Sequence, residues 1–90
     1  MIITMQEELK KFITDLIELT FGFTPTVNIT ALSDNNTQVF IQGNEEERAI
    51  LMGKSAQTLK AITRLTIVFA KRHKFWVHIY IQPRETTIDY

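Results

Sequence analysis

Ninety residues accommodate one small domain and leave no room for a second core. Apolar residues at 44% and charged residues at 22% are globular proportions, and the absence of cysteine excludes disulfides, thiolate metal sites and thiol nucleophiles. The formal net charge is zero, which by itself argues against a polyphosphate partner.

The chain begins Met1, Ile2, Ile3, Thr4, Met5, without a basic region leading a long apolar core. It is not expected to be a secretory signal, and a reducing, cytoplasmic setting is the expectation. No apolar stretch is long enough to span a membrane. Thr4 with Glu7 three residues on is a capping-box pattern. Leu9, Phe12, Ile13, Leu16 and Ile17 then form one apolar stripe, with Glu7 and Lys11 paired on the opposite face. A helix is predicted over 5–20, stopped at Gly22 by a left-handed cap.

Pro25 precedes a strand in which Val27, Ile29 and Ala31 alternate with Thr26, Asn28 and Thr30. A second strand is predicted from Thr37 to Gln42, and Ser33, Asp34, Asn35 and Asn36 make the pair a hairpin. Glu45 to Met52 reads as a short helix whose three leading acids suit the positive end of its dipole. Gly53 interrupts it. A long helix is predicted from Ser55 to Arg72, with Leu59, Ile62, Thr66 and Phe69 along one side and Leu65 and Val68 widening that stripe. Lys71, Arg72, His73 and Lys74 crowd its negative end, with His73 expected as a cap. Phe75 to Gln82 is the last strand, with Val77, Ile79 and Ile81 on one face; Pro83 is expected to end it, and the tail to Tyr90 to be loosely held. The expected fold is α+β in the order α-β-β-α-α-β, a three-stranded sheet with helices packed on one face.

The charges are segregated along this order. Residues 1–47 carry −6, residues 48–84 carry +8 without a single acid, and residues 85–90 carry −2. Arg48, Lys54, Lys60, Arg64, Lys71, Arg72, Lys74 and Arg84 therefore define one electropositive region suited to an anionic partner. Gln57, Lys60, Arg64 and Lys71 share one face of the long helix, and that face lacks the acids an ordinary solvated helix carries.

The informative segment is Ile50, Leu51, Met52, Gly53, Lys54, Ser55, Ala56, Gln57, Thr58, Leu59, Lys60, Ala61, Ile62. It sets a glycine and a lysine in a tight turn between two helices, where backbone amides and a mobile positive charge suit a phosphodiester. Gly53-Lys54-Ser55 also matches the end of a Walker loop, but Arg48 stands where that motif requires glycine, so nucleotide hydrolysis is not expected. His73 and His78 converge with no carboxylate, no nucleophile–base pair is readable, and neither a metal, a cofactor nor an enzyme activity is expected.

The element order and this turn resemble the type II KH domain, over about residues 5–82. Within that family the segment is similar to small bacterial KH proteins of the KhpA type and the KH module of Jag (KhpB) proteins, whose turns run close to I-G-K-x-G-x-T-x-x-A-I. The resemblance implies single-stranded RNA, about four nucleotides, held by Gly53, Lys54 and Ser55, with Ala56, Gln57, Lys60 and Arg64 alongside. Met52, Val39 and Ile41 are expected as an apolar floor. Ala56 replaces the second glycine of the family's turn, and a helical first-turn conformation is expected to accept it without strain. The resemblance also implies self-association or pairing with a Jag-type partner. Phe40, Trp76, His78 and Tyr80 alternate with the inward aliphatic residues. The resemblance places RNA along the helix-turn-helix edge rather than on this aromatic face, which is expected to be a protein-interaction (dimer) contact or cover for the tail. The alternative reading is a degenerate KH module acting mainly in protein–protein interaction or dimerisation.

Overall fold

The structure, a computed structural model, describes residues 4–33 and 35–83. Its elements are α1 (Met5–Phe21), β1 (Thr26–Ser33), β2 (Asn36–Gly43), α2 (Glu45–Met52), a short 3-10 turn (Lys54–Ala56), α3 (Gln57–Arg72) and β3 (Trp76–Pro83). The expected order is the observed one: a small α+β fold with three helices and a three-stranded sheet. The expectation for the tail, from Arg84 onward, lies outside the described residues, as does the part of the hairpin turn at Asp34.

The sheet runs β1-β2-β3, with β1 antiparallel and β3 parallel to the central β2. Parallel neighbours cannot be joined by a tight turn, so α2, the 3-10 turn and α3 together form the crossover from β2 to β3. Register aligns Val27, Ile41 and Ile81 in one row, Ile29, Val39 and Ile79 in the next, and Thr37 beside Val77. This face meets Leu9, Ile13 and Ile17 of α1, Leu51 of α2 and Ile62 and Ala70 of α3 in one apolar core. Among the described residues no helix packs on the opposite face.

The caps refine the charge argument. Thr4 Oγ1 accepts from Glu7 N at 3.2 Å, one arm of the expected box, and Gly22 closes α1 at φ 80°. Lys11 pairs with Asp15 at 3.5 Å rather than with Glu7, and both side chains are at least half exposed. At α2 the acids do more than complement a dipole. Asn44 Oδ1 accepts from Glu47 N at 2.8 Å while Asn44 N donates to Glu47 Oε1 at 2.9 Å, a complete capping box.

Several boundaries move. Asn36 belongs to β2, where it pairs with Trp76, and Pro83 is the last residue of β3, opposite Gly43. Pro83 sits there without cost because β3 is an edge strand. Leu65 and Val68 do not widen the buried stripe; they are 50% and 55% exposed, and Ile62, Thr66 and Ala70 face the core instead. Thr66 is tolerated at zero exposure because its Oγ1 donates to Ile62 O at 2.8 Å. His73 is the C-cap of α3, and its ring lies 4.8 Å from that of Phe69. Lys74 follows at φ 61°, and Trp76 N then donates to Asn35 O at 2.8 Å, tying the end of the crossover to the hairpin. No helix among the described residues is long and apolar enough to cross a membrane.

Removing the box tests the assignment at α2. Asn44→Ala is expected to lower stability by about 1 kcal/mol in urea unfolding with an unchanged m-value; Thr4→Ala, which removes a single exposed bond, is expected to cost less.

Candidate functional site

The turn between α2 and α3 is built from unusual backbone. Gly53 lies at φ 68°, ψ −178°, a region that residues with a Cβ essentially do not occupy. A Cβ there would also stand 2.2 Å from Thr58 Oγ1 and 2.9 Å from Thr58 Cβ. Gly53 is thus required by the fold itself, through the side chain that rests on it from the first turn of α3. Ser55 and Ala56 follow at φ 55° and 58°, both left-handed. The expected strain-free helical Ala56 is therefore corrected: α3 begins at Gln57, two residues later than predicted, because Ser55 and Ala56 turn the chain the other way. Left-handed backbone costs an L-residue roughly 1–2 kcal/mol, the reason glycine is favoured in such turns.

The turn leaves α3 without a side-chain cap. Thr4 and Asn44 cap α1 and α2, but Ala56 offers no acceptor, so the first amides of α3 have no intramolecular side-chain partner. Lys54, Ser55 and Gln57 around them are exposed, Ala56 is half-buried, and Met52 at the end of α2 is partly exposed. Ala56 N donates to Gly53 O at 3.4 Å and Gln57 N to Lys54 O, so the positive dipole end of this 16-residue helix, with Lys54 beside it, is what suits an anionic oxygen here.

Lys60 and Arg64 extend the positive potential along α3. Helical spacing sets Gln57, Lys60, Arg64 and Lys71 within about 60° of one another, and all four are exposed. None of the basic side chains from Arg48 to Lys74 forms an ion pair with a described residue.

Val39 and Ile41 do not take part. Both have zero exposure in the core under the helices, so the expected floor on the second strand is not available to a ligand. β2 is the central strand, and its inward side chains are covered by α1 and the crossover. The accessible strand beside α3 is β3. Two cavities open along that seam, of about 290 Å³ and 310 Å³, and share Ile67, Trp76 and Val77. The first also touches Asn35, Lys71, Lys74 and Phe75; the second touches Thr63, His78, Ile79 and Tyr80. Together they form a groove whose α3 rim carries Lys71 and whose far end reaches Lys74. Thr63, Ile67 and Lys71 recur at i, i+4 and i+8 beside the basic stripe, a sequence signal for this wall. That β3 forms the other wall follows only from the strand order.

Phe40, Trp76, His78 and Tyr80 do lie together on the helix-free sheet face. Trp76 is 61% and Tyr80 43% exposed, and the Phe40 and Tyr80 rings stack at 5.4 Å and 21°. No group of three or more potential metal-ligating side chains occurs among the described residues.

Ala56→Gly is expected to raise the melting temperature by a few degrees, relieving left-handed strain of about 1 kcal/mol after the greater chain entropy of glycine is counted. Gly53→Ala is expected to lower stability by more than about 2 kcal/mol, from both backbone strain and the contact with Thr58. Thermal unfolding followed by circular dichroism checks both signs. Neither a protein-family model nor a curated protein sequence matches this chain.

Proposed function

We propose that this chain is a small cytoplasmic RNA-binding protein of type II KH fold, gripping single-stranded RNA at the turn between α2 and α3. The observation that carries this reading is the uncapped start of α3, set behind Gly53, Lys54 and Ser55 at the head of a helix face free of acids. Phosphate oxygens accept from Lys54 at the positive end of α3, while Lys60 and Arg64 neutralise neighbouring phosphates. The strand then follows the α3–β3 groove toward Lys71 and Lys74, where Ile67 and Trp76 supply apolar contact to bases. Met52 stays at the entrance; Val39 and Ile41 act only as the core beneath. Backbone contacts dominate, so affinity depends strongly on salt and only modestly on base sequence.

Fluorescence anisotropy with labelled single-stranded RNA tests the placement. Each phosphate contact contributes about −0.7 to the slope of log affinity against log salt on single strands. Three to four contacts give a slope of about −2 to −3. Lys54→Asp is expected to weaken binding at least tenfold and to flatten that slope. Equal binding by wild type and variant would remove the turn from the interface.

A second reading, a KH-like module whose main role is protein interaction, is favoured by a different surface. Leu65 and Val68 are half exposed on α3, next to the stacked Phe12 and Phe69 rings, 4.9 Å apart at the α1–α3 junction. Arg72 borders this patch on one side and Glu8, Lys11 and Asp15 on the other. A second copy or a Jag-type protein would cover such a patch. Under this reading sedimentation equilibrium detects association that Val68→Asp abolishes and Trp76→Ala leaves intact; a monomer at all concentrations, with RNA binding retained, leaves the first reading alone.

A further inference from the structure

We infer that the helix-free face of the sheet is a second surface for nucleobases, continuing the RNA path around the β3 edge. The inference rests on the RNA-binding reading above and adds a site to it. Side chains alternate along a strand, yet Trp76, His78 and Tyr80 line the same cavity as Val77 and Ile79 at the open β3 edge. Trp76 and Tyr80 line the α3–β3 groove and also stand on the helix-free face, so a strand leaving the groove over β3 meets these rings next.

The face has the chemistry of a base platform. Phe40 on β2 is directly opposite Tyr80 on β3, and their rings stack at 5.4 Å with planes 21° apart. Sequence-tolerant stacking of bases on such rings is a general mode of single-strand recognition. Around the rings lie the amides of Asn28, Gln38, Gln42 and Gln82, each able both to donate to and to accept from a base edge. Thr26, Thr30 and, past the bulge, Ser33 lie on β1 on this side. No Asp, Glu, Lys or Arg occupies this face among the described residues, so nothing on it repels a phosphate chain.

Three strands about 4.8 Å apart and eight residues long give a flat footprint of roughly 370 Å². A few stacked nucleotides need no more than this face offers.

The test compares random-sequence, fluorescein-labelled RNAs of four and ten nucleotides by anisotropy. Wild type, Phe40→Ala, Phe40→Tyr, Asn28→Asp and Lys54→Asp are measured, each checked for folding by thermal melting and for mass by sedimentation. Phe40 lies on the central strand, away from the groove, and exposed Asn28 is its register partner on β1, so Asn28→Asp sets a negative charge beside the rings with little risk to folding. Loss of one stacked base corresponds to roughly a fivefold or greater weakening. Phe40→Ala and Asn28→Asp are expected to weaken the ten-nucleotide RNA to at least that extent and leave the four-nucleotide RNA unchanged. Phe40→Tyr is expected to keep both affinities, and Lys54→Asp to weaken both lengths. If Phe40→Ala and Asn28→Asp leave the longer RNA unaffected, or weaken both lengths equally, the second surface is overturned while the turn site stands. Conversion of a dimer to a monomer by Phe40→Ala assigns the face to a second copy and also overturns it. Failure of wild type to bind either length refutes the RNA reading itself, and this inference with it.

Discussion

Parallel pairing of β2 with β3 is the constraint on which the rest of the structure depends. Parallel neighbours require the chain to return over one face of the sheet before the next strand can begin. In this protein the return consists of α2, a three-residue 3-10 turn and α3. The same crossover buries Leu51, Ile62, Thr66 and Ala70 against the sheet and holds the Gly53–Ala56 turn outward at the junction of its two helices. It also makes β3 an edge, so the side of α3 next to β3 becomes a groove wall rather than core.

Stability and exposure conflict at that turn. Gly53 is fixed by Thr58, and the two left-handed residues after it store strain that the surrounding helices have to offset. The return for that strain is a sharp junction that leaves the amides of α3 uncapped. Where the chain needs only stability it behaves differently. Asn44 and Glu47 satisfy each other's backbone donors at the start of α2, and Thr66 returns its hydroxyl proton to its own helix. Polar groups in these places are satisfied by a side chain or by their own helix, whereas the head of α3 has only the backbone bonds of the 3-10 turn and no side-chain cap.

Much of the fold was legible because its signals are local. Thr4, Gly22 and the stripe from Leu9 to Ile17 bound α1 to within a residue, and the alternation of Val27, Ile29, Val39, Ile41, Val77 and Ile79 sets the inward face. The stripe on α3 was less legible, because Leu65 and Val68 fit a helical repeat that the tertiary structure leaves half in solvent. The conformation of Ala56 is not legible for a related reason. Its residue type permits a helical conformation, but in the folded chain Ser55 and Ala56 are left-handed and α3 starts at Gln57. Val39 and Ile41 are no floor for a ligand because β2 lies in the middle of the sheet, a placement that strand alternation alone does not reveal.

The sequence alone determined the order of elements, the inward face of each strand, the acid-free block from Arg48 to Arg84, and the presence of a glycine–lysine turn within it. These follow from spacing and charge, which act over a few residues. Only the tertiary structure decided which strand borders α3, which rings stack, which helix stays uncapped and which apolar side chains remain in water. Those outcomes depend on register and packing between segments distant in the chain, where many local patterns compete for one buried surface.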